Sequence, residues 1–161
     1  LDNKIYKIKP VGSLCGHKIN KFQIHANKVI PNIYMKDYNE RINSDEFYAV
    51  ETFASTGTGN TYEDTENCSH FMINYNKEIK KKDIPNNSNQ IYKLILKYYN
   101  TLAFTDRWFD SNIDKKELNN LCEMGIIKKY PPIYDIDKKS YIAQFEESIY
   151  VGDKKTEILS N

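Results

Sequence analysis

Apolar and polar residues alternate at the start of the chain, through Lys4-Ile5-Tyr6-Lys7-Ile8-Lys9, and the alternation stops at Pro10. A period of two predicts a strand there. A second apolar stretch, residues 28–34, follows His25. Residues 46–56 (EFYAVETFAST) are rich in aromatic and β-branched side chains, and Gly57-Thr58-Gly59-Asn60 closes them with turn chemistry. Residues 68–75 (CSHFMINY) read as another strand of the same character.

The period then changes. Lys80-Lys81-Lys82 and Pro85-Asn86-Asn87-Ser88 form a polar connector. Ile91, Leu94, Ile95, Tyr98 and Leu102 recur at helical spacing and predict a helix with one apolar face. A shorter helix starts at Asp114, with Glu117 three residues on as a capping box, and stops at Gly125. Tyr130-Pro131-Pro132 ends the helical segment, and strands return at 133–137, 141–151 and 156–159, with turns at Lys138-Lys139 and Gly152-Asp153. Strands, then two helices, then strands indicate an α+β fold. The expected organisation is a β-rich core, residues 1–76 and 133–161, interrupted by a helical insertion at 77–132. No repeat of solenoid length is visible.

Composition narrows the function classes. With 161 residues the chain is long enough for one sizeable core, and 23 Lys+Arg against 22 Asp+Glu exclude a strongly basic nucleic-acid binder. Lys, Ile, Asn and Tyr make up 72 of the residues while Arg occurs twice, the usage of AT-rich coding, so lysine richness carries little weight. Lys80–Lys82, Lys93 and Lys97 are accordingly read first as a solvated face rather than a nucleic-acid contact. No apolar run approaches the roughly 20 residues of a membrane helix, and residues 1–20 lack a signal peptide's apolar core. Cys15, Cys68 and Cys122 are odd in number, far apart and never CxxC, which argues for a reducing compartment. The first residue is Leu1 rather than Met, as expected of a piece of something longer.

Three positions call for chemistry. By strand parity Glu51 shares a face with Phe47, Ala49 and Phe53, so it is either exposed or held by a cation. Glu146 and Glu147 point to opposite faces of their strand, and parity alone does not choose between them. His17, His25 and His70 all lie in or beside β segments. A lone histidine is usually structural, but histidines beside strands with embedded glutamates suit a hard or borderline divalent ion such as Mn, Fe, Co or Zn.

Read together, the segments resemble the type II methionine aminopeptidases, of the eukaryotic type. Gly16-His17, Ile24-His25-Ala26, Tyr48-Ala49-Val50-Glu51-Thr52-Phe53-Ala54-Ser55-Thr56-Gly57 and Cys68-Ser69-His70 match that family in order and spacing. Leu102-Ala103-Phe104, Arg107-Trp108, Tyr130-Pro131-Pro132 and Ala143-Gln144-Phe145-Glu146 do so as well, and the resemblance covers roughly residues 5–151. It implies the C-terminal part of a pita-bread (creatinase/aminopeptidase) fold, the insertion being the mark of type II members.

The resemblance further implies a metalloaminopeptidase that removes the initiator methionine from nascent polypeptides with a small second residue, in the cytoplasm and with ribosome association. His17, Glu51 and Glu146 match metal ligands, Glu146 bridging two ions, with Glu51 also placed to shuttle a proton. His25 matches the histidine that hydrogen-bonds substrate, so His25 and Glu51 are the catalytic pair. Leu14, Ile24, His70, Ala103 and Tyr130 match residues of the methionine side-chain pocket. Two divalent ions (Mn, Co, Fe or Zn) would hold the attacking hydroxide. The second metal needs aspartates that the family carries in its N-terminal half and that residues 1–16 do not supply, so the isolated chain is expected to be inactive without that half as partner.

Asn20 and Asn27 stand where the family has glycine, and asparagine tolerates the same left-handed turns. Glu147 adds a charge after the bridging position. The competing expectation is a non-catalytic pita-bread homologue that binds protein or RNA, although such relatives tend to lose the ligands retained here.

Overall fold

The computed structural model of the chain describes residues 3–78, 83–109 and 115–160. It divides into two compact units, Leu1–Glu63 with Ile133–Asn161, and Asp64–Pro132. The second unit therefore begins before residue 77 and takes in a strand that the sequence pattern assigned to the core.

The first unit is built on a sheet of β1 (Lys9–Pro10), β2 (Cys15–Ile19), β3 (Val29–Pro31), β4 (Glu46–Ser55), β10 (Ile142–Val151) and β11 (Thr156–Ile158). The order is β11-β10-β4-β2-β3, with β1 also pairing with β4. Antiparallel β4 and β10 pair along their full length, from Ile142 opposite Ser55 to Val151 opposite Glu46. This long ladder suits the aromatic and β-branched content of both strands. A separate pair joins β5 (Thr61–Glu63) to β9 (Ile133–Asp135).

The strand expected at the N-terminus is confined to Lys9–Pro10, which pair with Ser55 and Ala54. Ile5 and Ile8 are exposed. Alternation makes a strand only where a surface covers its apolar side, and none covers these two isoleucines.

Two buried carboxylates tie this unit together. Glu46 accepts from Lys18 Nζ at 2.7 Å, Lys28 Nζ at 2.6 Å and the Tyr48 hydroxyl. Asp135 accepts from Ser55 Oγ, Thr58 Oγ1 and the amides of Gly59 and Asp137, which fastens the turn after β4 to β9. That turn needs Gly59, whose φ is +77°.

In the second unit, β6 (His70–Ile73) lies between β7 (Phe104–Thr105) and β8 (Ile127–Tyr130). Helices α1 (Asn86–Tyr98) and α2 (Lys115–Glu123) contribute to the core that includes Phe71, Ile95, Phe104, Leu121 and Ile127. The segment is thus mixed α/β rather than purely helical, and Tyr130 ends a strand. Helix α1 starts at Asn86, inside the expected connector, with Pro85 at the N-cap. Lys80–Lys82 lie outside the described residues.

The buried face of α1 is Ser88, Ile91, Tyr92 and Ile95. Ile91 and Ile95 are shared with the face expected from the sequence, whereas Leu94, Tyr98 and Leu102 are exposed. The face is rotated because Ser88, polar and absent from the apolar count, is buried and donates to Glu117 Oε2 of α2. Helix α2 ends as expected: Gly125 has φ +67°, its amide donates to Cys122 O at 2.8 Å and that of Ile126 to Leu121 O at 2.9 Å. The expected cap, Asp114, lies outside the described residues.

Candidate metal centre

The β4–β10 register resolves the choice that parity left open. Glu146 stands directly opposite Glu51, and Glu147 opposite Val50. Paired residues in an antiparallel ladder share a face, so Glu146 joins Glu51 while Glu147 lies on the other side. On β2, His17 stands opposite Ala49, two residues from Glu51 and on the same face. Three neighbouring strands thereby carry one imidazole and two carboxylates in a row.

His17 Nε2 lies 3.2 Å from Glu51 Oε1. His17 is 8% exposed, and its Nδ1 faces the Lys18 carbonyl at 3.4 Å. This orientation leaves Nε2 toward the carboxylate row, the arrangement that fixes ligand histidines elsewhere. Gly16 makes it sterically feasible: a Cβ there would sit 2.5 Å from Ala49 O and 2.9 Å from Glu51 N. Only glycine lets β2 approach β4 this closely.

Gln144 Nε2 lies 3.1 Å from Glu51 Oε2 and 3.2 Å from Glu146 Oε2. Burial, and then the charge of Glu146, raise the Glu51 carboxyl above its ordinary value, against the opposing effects of His17 and Gln144. Burial and Glu51 likewise raise the Cys15 thiol. Like charges placed directly opposite one another repel, and a cation would relieve them.

One imidazole nitrogen and two carboxylates suit a divalent ion in donor chemistry. The side chains do not converge on one point: among the described residues, no group of three or more His, Cys, Asp or Glu is arranged to hold a metal ion. Glu146 is exposed, whereas the side chains of His17 and Glu51 are largely buried. A cavity of about 470 Å³ along the same strands is lined by residues including Lys18, Phe47 and Ser148, and His17, Glu51 and Glu146 are not among them.

The remaining expected site residues fall into two groups. His25 is exposed, with its ring 4.4 Å from that of His17 in an edge arrangement. Leu14 and Ile24 are half-buried in the same unit. His70, Ala103 and Tyr130 belong to the second unit, where His70 pairs with both Thr105 and Tyr130. Pairing puts His70, Thr105 and Tyr130 on one face of this sheet, opposite Phe71 and Phe104, and Ala103 immediately precedes β7.

Sequence reasoning assigned no role to Gln144, Glu46 or Asp135. Gln144 did carry a signal, being two residues before Glu146 on the same strand. Glu46 had none, since Lys18 and Lys28 are remote in sequence. Cys15, Cys68 and Cys122 are free thiols. No helix among the described residues is long and apolar enough to cross a membrane.

The chain is 40% identical over 163 residues to methionine aminopeptidase 2A of Arabidopsis thaliana, covering 99% of this chain and 36% of that protein. It is 40% identical over 167 residues to methionine aminopeptidase 2 of Encephalitozoon intestinalis, covering 99% of this chain and 45% of that protein. The Dictyostelium discoideum methionine aminopeptidase 2 is 37% identical over 164 residues, with 99% and 36% covered. The chain thus spans 36–45% of the length of these relatives. No protein-family model matches it. A solved structure of a thermophilic Arx1 superposes with a TM-score of 0.81 at 17% identity, covering 94% of this chain and 40% of that one. This likeness shows the fold, which is of the pita-bread type.

Proposed function

We propose that this chain, which belongs by sequence with the type II methionine aminopeptidases over nearly its whole length, carries part of the site that removes N-terminal methionine from nascent polypeptides. The observation that carries the reading is the row of donors on one sheet face: Glu146 directly opposite Glu51, and His17 3.2 Å from Glu51. His17, Glu51 and Glu146 would hold divalent metal of the Mn, Co, Fe or Zn class. Metal bound there supplies Lewis acidity to the peptide carbonyl and an activated water at neutral pH.

The chain's own residues then divide the remaining work. Glu51 would take a proton from the attacking water and pass it to the departing amine, a general acid–base role for a carboxylate. His25, against the ring of His17, donates to the substrate near the scissile amide and orients it. Leu14 and Ile24 contribute to recognition of the methionine side chain, and a small second residue avoids a clash next to it. Aspartates outside this chain complete the second metal position, so the isolated chain is inactive. The enzyme acts in the cytoplasm, where nascent chains and free thiols are both at home.

Retention of all three donors favours this reading over a non-catalytic protein- or RNA-binding module. The test is methionine release from a Met-Ala peptide by the natural protein that carries this sequence. Glu146→Gln lowers kcat/KM by more than about 100-fold, at least about 2.7 kcal/mol of transition-state stabilisation, with thermal unfolding unchanged. A near-native rate in that variant removes Glu146 from the site.

A further inference from the structure

Gln144 lies between the two glutamates of the donor row. It is two residues before Glu146 on β10 and opposite Phe53, two residues after Glu51 on β4. Strand alternation therefore brings its side chain to the face that carries both carboxylates. Its Nε2 is 3.1 Å from Glu51 Oε2 and 3.2 Å from Glu146 Oε2. A side-chain amide nitrogen has two hydrogens, and ionised carboxylates only accept, so the nitrogen end must face them and gives one hydrogen to each.

The contacts are selective by atom. Glu51 uses Oε2 for Gln144 and turns Oε1 to His17 Nε2 at 3.2 Å. Glu146 also uses Oε2. One oxygen of each carboxylate is thus pinned by the amide; the other oxygen of Glu51 faces His17 Nε2, and that of Glu146 is left for a ligand role. The chemistry of glutamine matters here. Lysine or arginine would offer donors with a positive charge and compete with a cation for the pair, whereas another carboxylate would add repulsion and no donor. A neutral amide holds two like charges side by side without cancelling them.

We propose that Gln144 is a positioning residue that holds Glu51 and Glu146 side by side on one face of the sheet, from which the pair takes up a divalent cation. The inference rests on the reading of Glu51 and Glu146 as metal ligands. Outer partners of ligating carboxylates typically contribute 10–100-fold to metal affinity.

The experiment is a Co²⁺ titration of the natural protein followed by visible ligand-field absorption, comparing wild type, Glu146→Gln, Gln144→Met and Gln144→Lys. Gln144 is exposed, so methionine there keeps the side-chain length without disturbing a core. Gln144→Met is expected to weaken Co²⁺ binding roughly 10–100-fold and to shift the absorption bands, and Gln144→Lys to weaken it further. If Glu146→Gln weakens binding while Gln144→Met binds as wild type, the role of Gln144 is overturned and the ligand reading stands. If the wild type takes up no Co²⁺, or Glu146→Gln changes nothing, the ligand reading falls and this inference with it.

Discussion

Glu46 is a carboxylate that burial alone would push upward, yet the donors Lys18, Lys28, Tyr48 and the Asn43 amide hold it well below the ordinary range. Asp135 behaves alike: burial raises it, and Ser55, the Asp137 and Gly59 amides and Thr58 together lower it. A depressed folded value means that the ionised form stabilises the fold. The contribution is fully present above the unfolded carboxyl value of about 4.3 and is lost as pH falls through the lower folded value. Glu46→Gln is therefore expected to lower stability at neutral pH and to flatten its decline below about pH 4.3. Thermal unfolding of the natural protein at a series of pH values measures this, and an unchanged acid decline would remove Glu46 from that role. At this scale the sequence was partly legible. Parity grouped Glu51 with Ala49 and Phe53, but choosing Glu146 over Glu147 needed the β4–β10 register. Glu46 and Asp135 stayed hidden because their partners come from distant segments.

Most elements were legible from period and turn chemistry, with errors where context overrides local pattern. The strand at β4 and the stop at Gly125 follow from aromatic content and from glycine's access to positive φ. The opening strand fails because alternation says nothing about cover. Helix α1 is rotated from its expected face because a buried serine counts as polar in the pattern and as core in the structure. That difference is measurable. Ser88 is fully buried and donates to Glu117, which also accepts from Asn120. Ser88→Ala removes one hydrogen bond to a charged group and is expected to cost about 1.5–3 kcal/mol. Leu94 is 38% exposed, so Leu94→Ala should cost less, within about 1 kcal/mol. Denaturant unfolding of both variants decides it, since the apolar spacing alone would reverse their order.

For the whole molecule, pattern reading gave an α+β core with an insertion, and the structure groups the chain as Leu1–Glu63 with Ile133–Asn161, and Asp64–Pro132. The boundary moved because β6 pairs with β7 and β8, long-range partners that no local period reveals. Of the expected site, the first unit brings together His17, Glu51, Glu146 and His25, while in the second His70 pairs with Tyr130 and Ala103 immediately precedes β7. Residues far apart in sequence, His17, Glu51 and Glu146, are thus proposed to form one metal-binding row. Anomalous diffraction at the zinc edge, from crystals of the natural protein grown with Zn²⁺, tests it most directly. A peak is expected at about 2.0–2.2 Å from His17 Nε2 and from oxygens of Glu51 and Glu146; a fully occupied peak elsewhere, with none beside these three side chains, would rule the row out.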